Sequence, residues 1–187
     1  MIPLLEAARD LQDFFIRRQW RFCIIGGLAL LRWGEPRFTR DVDVSLFCGF
    51  GHEEDFIVPI LTAGYRGRIA DAAGFARENR VLLINSPGGV PIDIALAAFP
   101  FEEEVVERAS WFEFEPGCSL LTCSAEDLVI LKLFAFRPQD LLDVETVVLR
   151  QRRTLDWARM EMSLAPLAEA KEEPAIMRAF ARLRDST

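Results

Sequence analysis

Arg21-Phe22-Cys23-Ile24-Ile25 is a short apolar run that ends on Gly26-Gly27, and Leu28-Ala29-Leu30-Leu31-Arg32-Trp33 continues as a short helix stopped by Gly34. The order strand, glycine turn, helix start constrains the fold more than any other stretch. Glycines at such a turn let the backbone approach a ligand closely, and the free amides of a helix N-terminus attract anions such as phosphate. A glycine pair alone is weak evidence. It gains weight from the next segment of the chain, Arg37-Phe38-Thr39-Arg40-Asp41-Val42-Asp43-Val44.

Side chains alternate faces along a strand, so Asp41 and Asp43 share one side, roughly 6 to 7 Å apart, while Val42 and Val44 occupy the other. The acids open to a cleft and the valines pack on a core. Two like charges held close raise each other's pKa and cost about 4 kcal/mol at ~4 Å with an effective dielectric near 20. A divalent cation reverses that cost. Oxygen-only ligands suit hard ions such as magnesium or manganese, with substrate phosphates completing the coordination.

A third acid is needed if two metals are to support an in-line phosphoryl displacement. Asp93 is the candidate. It lies in Pro91-Ile92-Asp93-Ile94-Ala95-Leu96, joined through Pro87-Gly88-Gly89 to the run Val81-Leu82-Leu83-Ile84, which predicts a hairpin. Pairing of its second strand beside the Asp41/Asp43 strand would gather all three acids. Each has a plainer account when taken singly. A lone Asp in a loop is commonly a cap or a solvated charge, and an acid on the outward face of a hairpin strand is commonly just exposed.

Arg37 fits a phosphate bidentately and fits equally an ion pair with Asp41 or Glu35. Thr39 either closes the turn before the strand or donates to phosphate. Lys132 falls in a helix opened by Ser124, with Asp127 in a capping-box-like place. Apolar neighbours surround it, so its amine needs an anion, a phosphate or Asp143, unless it snorkels to solvent. Only two of the 22 Lys and Arg residues are lysines, which makes this one more notable. Asp140 and Asp143 read as first-turn acids of the next helix, where the dipole favours negative charge.

Taken together, Gly26-Gly27, Asp41-x-Asp43 and Asp93 resemble the pattern of the polymerase-beta-like nucleotidyltransferase superfamily. Within it, Gly-Gly-Leu-Ala, Arg37-x-Thr39, Asp41-Val42-Asp43-Val44, the helix reaching Lys132 and Arg137-x-x-Asp140-x-x-Asp143 look most like AbiEii-type enzymes, the toxin halves of type IV toxin–antitoxin pairs. The resemblance covers about residues 21 to 150. It implies an α/β (α+β) fold, a small mixed sheet flanked by helices, with a C-terminal helical extension. It also implies transfer of a nucleoside monophosphate from a nucleoside triphosphate to an acceptor hydroxyl on RNA such as tRNA, on protein or on a small molecule.

In that scheme Asp41, Asp43 and Asp93 hold Mg2+ or Mn2+, with Asp93 also the base. Gly26 and Gly27 cradle the triphosphate, Arg37 and Thr39 contact it, and Lys132 stabilises developing charge. Asp140 and Asp143 position Lys132 or a nucleotide hydroxyl, and an antitoxin protein is the implied partner. Leu28 departs from the pattern, where many members carry a Ser or Thr that meets the phosphates. A nucleotide-binding or toxin–antitoxin interaction module without turnover is the alternative, disfavoured by three intact acids. Antibiotic-modifying nucleotidyltransferases share the same motif.

Length and composition narrow the rest. A chain of 187 residues, 51% hydrophobic, can bury a substantial interior. The expected division is a nucleotidyltransferase core over 1–123 and a helical region over 124–187. The core comprises an opening amphipathic helix, the strand and turn, a helix over about 53–63, the 81–96 hairpin, a helix near 102–109 and a strand near 111–114. No apolar run suits a membrane span and no charged leader opens the chain, so the cytoplasm is expected. Cys23, Cys48, Cys118 and Cys123 lack zinc spacing, and His52, the single histidine, cannot complete a zinc site or a Cys-His pair convincingly. Against a net charge of −7, the arginine clusters at 17–21 and 150–153 leave only a local footprint for nucleic acid.

Overall fold

The computed structural model describes residues 2–186 and divides them into two compact units. The first unit comprises residues up to Leu28 and Phe38–Cys123, the second Ala29–Arg37 and Ser124 onward.

In the first unit, helix α1 (Pro3–Arg17) precedes strand β1 (Arg21–Ile24), and helix α2 (Gly26–Trp33) starts directly at the glycine turn. Strand β2 (Val42–Phe47), helix α3 (Glu54–Thr62), the two-residue strand β3 (Arg66–Gly67), helix α4 (Ala72–Asn79), strands β4 (Val81–Asn85) and β5 (Pro91–Ala97), helix α5 (Pro100–Glu107) and strands β6 (Ser110–Glu115) and β7 (Cys118–Thr122) come next. The strands form one mixed sheet in the order β3-β4-β5-β2-β1-β7-β6, with β2–β5 and β1–β7 parallel and the other pairs antiparallel. The expected hairpin over 81–96 is β4–β5, and its second strand does lie beside β2.

The sequence alternation explains why this sheet has one closed and one half-open side. Val42, Val44, Leu46, Leu82, Ile84, Ile92 and Ile94 are fully buried, whereas Asp43, Leu83 and Asp93 between them keep partial access. Phe22 meets Phe15 of α1 at 5.2 Å between ring centroids. Its neighbour Cys23 turns its thiol toward the Val105 carbonyl of α5 at 4.0 Å. Helices α1 and α5 therefore cover opposite faces. Phe14, Trp20, Tyr65 and Phe56 extend the α1 side into an aromatic cluster. Each fully buried ring of this cluster adds roughly 2 to 3 kcal/mol to the largely aliphatic core.

The sequence alone did not announce α4, β3 or β7. Helix α4 is two turns long and opens with Ala72-Ala73-Gly74, where the glycine weakens it; it is started by Asp71, whose carboxylate accepts from the Gly74 amide at 2.8 Å. Strand β7 comes after Pro116-Gly117, a turn signal that closes the alternating β6.

The second unit is helical. After the remainder of α2 come α6 (Ala125–Ala135), α7 (Pro138–Gln151), α8 (Trp157–Ala170) and α9 (Ala175–Asp185). Helix α6 buries Ala125, Leu128, Val129, Ile130 and Leu133, so it is enclosed on most sides, against α7, α8 and α9. Ser124 caps it, its hydroxyl accepting from the Asp127 amide at 3.1 Å. The Asp127 carboxylate in turn accepts from Arg159 at 3.1 Å. Gly34 lies so close to α7 that an added Cβ would stand 2.7 Å from the Thr146 hydroxyl oxygen. Among the described residues no helix is long and apolar enough to cross a membrane.

Candidate active site

The acid-bearing site is built from backbone pairing. Strands β2 and β5 run parallel with Asp43 directly opposite Asp93, and Asp93 in turn faces Leu83 of β4. Asp41 is not a strand residue as expected. It occupies the bend just before Val42, where β2 begins. The Thr39 hydroxyl donates to its Oδ1 at 3.1 Å, fixing a carboxylate that strand pairing does not hold. Asp41, Asp43 and Asp93 each offer an oxygen such that all three lie within 4.8 Å of one another, all half-buried.

Three carboxylates at that spacing are a hard-oxygen donor set. They fit a magnesium- or manganese-type cation better than a softer one. Burial pushes the Asp93 carboxyl above its ordinary pKa; Arg68 pulls it down and Asp41 pushes it up again. The net shift is upward. A cluster of acids at this spacing favours either protonation or a positive partner.

The glycine turn abuts the same acids. Gly26 has φ +60°, and a Cβ added there would sit 1.9 Å from Asp43 Oδ2; one added at Gly27 would sit 2.3 Å from the Thr39 hydroxyl oxygen. Both positions exclude a side chain. The Gly27 amide points at Asp43 Oδ2 at 3.4 Å, so the first turn of α2 and the acids converge. Leu28 is fully buried and packs in the core.

Arg68 was missed by sequence reasoning. It stands one residue past β3, its amide donating to the Leu83 carbonyl at 3.0 Å and so prolonging the β3–β4 pairing. Its guanidinium donates to Asp93 Oδ1. A two-residue strand leaves no periodic signal, and only the spacing Arg66-x-Arg68 hints at a shared face.

The remaining expected site residues come together in the second unit. Lys132 Nζ donates to Asp143 Oδ2 at 2.7 Å and to Asp140 Oδ1 at 3.1 Å. Arg37 clasps Asp143 with Nε at 2.8 Å and Nη2 at 2.9 Å. Arg37 thus has a partner that neither local alternative named. Arg137 donates to Asp140 at 2.6 Å and Gln139 to Asp143 at 3.0 Å. Lys132 is 5% exposed, so its amine is held by carboxylates and does not snorkel. Asp140 is in the first turn of α7, but Asp143 is in the second, beyond the reach of the simple dipole account. Burial raises the Asp143 carboxyl, yet hydrogen bonds from Arg37, Lys132 and Gln139 outweigh it and hold it at about 2. Asp140 is lowered in the same sense, burial being overcome by Arg137 and Lys132.

Three solved structures are similar in fold to this chain. The lincosamide antibiotic adenylyltransferase LnuA, lincomycin-bound, is 13% identical with a TM-score of 0.51, covering 76% of this chain and 94% of that one. An antigenic nucleotidyltransferase-like protein from Paracoccidioides brasiliensis is 14% identical with a TM-score of 0.53, covering 95% and 92%. The antibiotic-resistance factor ANT(2'')-Ia is 14% identical with a TM-score of 0.57, covering 90% and 92%. At these identities the likeness establishes the fold. No curated protein matches the sequence significantly. Residues 3–180 match one protein family over nearly their whole length, and the chain accordingly belongs to the family described as "Nucleotidyltransferase of unknown function (DUF6036)".

Proposed function

We propose that this nucleotidyltransferase moves a nucleoside monophosphate from a nucleoside triphosphate to an acceptor hydroxyl, with Mg2+ or Mn2+ held by Asp41, Asp43 and Asp93. One observation carries the reading: three carboxylate oxygens from three separate residues, one of them some fifty positions from the others, lie within 4.8 Å of one another. Bound there, the cation would supply Lewis-acid polarisation of the phosphoryl oxygens and neutralise charge on the leaving pyrophosphate.

The chain's own residues do the rest. The amides at the start of α2 are a place for the phosphates, and the absence of side chains at Gly26 and Gly27 lets Asp43 and Thr39 close against that turn. Asp93 accepts the acceptor hydroxyl's proton as the hydroxyl oxygen bonds to the α-phosphorus. The bond from that phosphorus to its bridging oxygen breaks, and pyrophosphate leaves with the electron pair. Thr39 keeps Asp41 turned toward the other acids. Arg37, Lys132, Asp140 and Asp143 form one set within the second unit. Their mutual ion pairs support a positioning role for Lys132 and Asp143, which fix an Arg37 side chain that is 36% exposed.

The acceptor is a small molecule, an RNA or a protein. The first is favoured by the fold shared with LnuA and ANT(2'')-Ia, the others by the AbiEii-like motif string, which also implies an antitoxin partner. The four buried cysteines suit the reducing cytoplasm. The test is incubation with each α-labelled triphosphate and magnesium, with total RNA, protein and small-molecule pools offered as acceptors. Pyrophosphate release that stops on chelation, and falls about a thousandfold or more in Asp93→Asn, is the expected outcome. Retention of nucleotide without pyrophosphate in the intact protein would instead identify a binding module.

A further inference from the structure

Arg68, Leu83, Asp93 and Asp43 form one row across adjacent strands of the sheet. The Arg68 amide bonds to the Leu83 carbonyl at 3.0 Å, Leu83 is the register partner of Asp93, and Asp93 is the register partner of Asp43. Residues in one such row project from the same face of the sheet. The arginine therefore approaches the acids from the sheet edge, over Leu83, and ends on Asp93.

Three carboxylates with oxygens inside 4.8 Å repel one another. The guanidinium offsets one of those charges. It does so on the same carboxylate that a divalent cation would need, and its own positive charge opposes a cation arriving beside it. We infer that Arg68 is a positioning residue that stands in for the cation: it holds Asp93 toward Asp41 and Asp43 before metal binds and yields that carboxylate when metal enters. The arginine thereby sets the metal concentration at which the site fills. This inference rests on the triad being a cation site.

Two signs separate it from an ordinary structural ion pair. A competitor, when removed, leaves tighter metal binding; a mere scaffold, when removed, leaves a looser Asp93 and weaker binding. The full-length protein is titrated with manganese alone, without nucleotide, the free ion being read by electron paramagnetic resonance, and melting is followed with and without manganese. Arg68→Gln is expected to bind about five- to tenfold more tightly than the unmodified protein, the range that removing one partly exposed ion pair allows. Its melting temperature should fall without metal and recover to the unmodified value at saturating manganese. Arg68→Lys should keep the unmodified affinity. Arg66→Gln, which removes a charge paired in register with Asn85 and not with Leu83, should change nothing.

Equal or weaker binding in Arg68→Gln overturns the inference while leaving the cation reading intact. A protein that takes up no manganese, or whose uptake survives Asp43→Asn, overturns both.

Discussion

The two charged clusters use the same residue types to opposite ends. In the first unit, Asp41, Asp43 and Asp93 crowd together with the Arg68 guanidinium on one of them, half open to solvent. In the second, Asp140 and Asp143 are 1% and 3% exposed and answered by Lys132, Arg37 and Arg137. One cluster gathers three acids with access from outside. The other sets three cations around two buried carboxylates, with the Arg37 and Arg137 side chains reaching solvent. Acids open to solvent can take up an external cation, whereas buried carboxylates already bonded to cations hold a backbone in place.

The contrast can be broken most forcefully at Lys132. Lys132→Met leaves two buried carboxylates short of a donor and should lower unfolding free energy by about 3 kcal/mol, near the low end for a broken buried pair because Arg37 and Arg137 remain; denaturant titration reads this directly. A variant that keeps its stability but loses turnover would move Lys132 from scaffold to chemistry. Acid titration is the next largest effect. Asp143 is held at about 2 in the folded state, below the ordinary unfolded value of about 3.9, so its contribution is fully present above that value. It is lost as pH falls toward 2, amounting to about 2–3 kcal/mol. Melting temperature should drop steeply between about pH 5 and pH 2.5, and Asp143→Asn should flatten that slope.

The smallest stability effect belongs to the cleft. Gly26→Ala places a Cβ against Asp43 in a left-handed backbone, costing about 1–2 kcal/mol of stability. Pyrophosphate release should nevertheless fall by about two orders of magnitude, since a displacement of roughly 1 Å in a reacting group has that effect. Comparable fractional losses of stability and turnover would erase the distinction between the two clusters.

Much of the cleft is legible in the sequence because its parts are local. A strand ending in Gly26-Gly27, an alternating Asp-Val pair and a Pro-Gly-Gly hairpin each arise from backbone preferences within about ten residues. What the sequence left conditional or hidden is tertiary. The pairing of β2 with β5 joins strands separated by more than forty positions; it could be named as the arrangement that would gather the acids, but nothing local states which neighbour a strand chooses. Arg68 was hidden for the same reason, since its role exists only through two successive pairings. Lys132 gave itself away by being a lysine in an apolar helix. Arg37 did not, because its partner lies 106 positions away.

The pairing of Asp43 with Asp93 has a consequence for how this site can change. The distance between those two acids is set by peptide groups, which every amino acid carries, so the valines and isoleucines beneath can be exchanged for other hydrophobes without resizing the gap. A shift of β5 by one position along β2 would do the reverse, turning Asp93 into the oily interior and bringing Ile92 or Ile94 outward. The ruler is the main chain, and it has only whole-number settings.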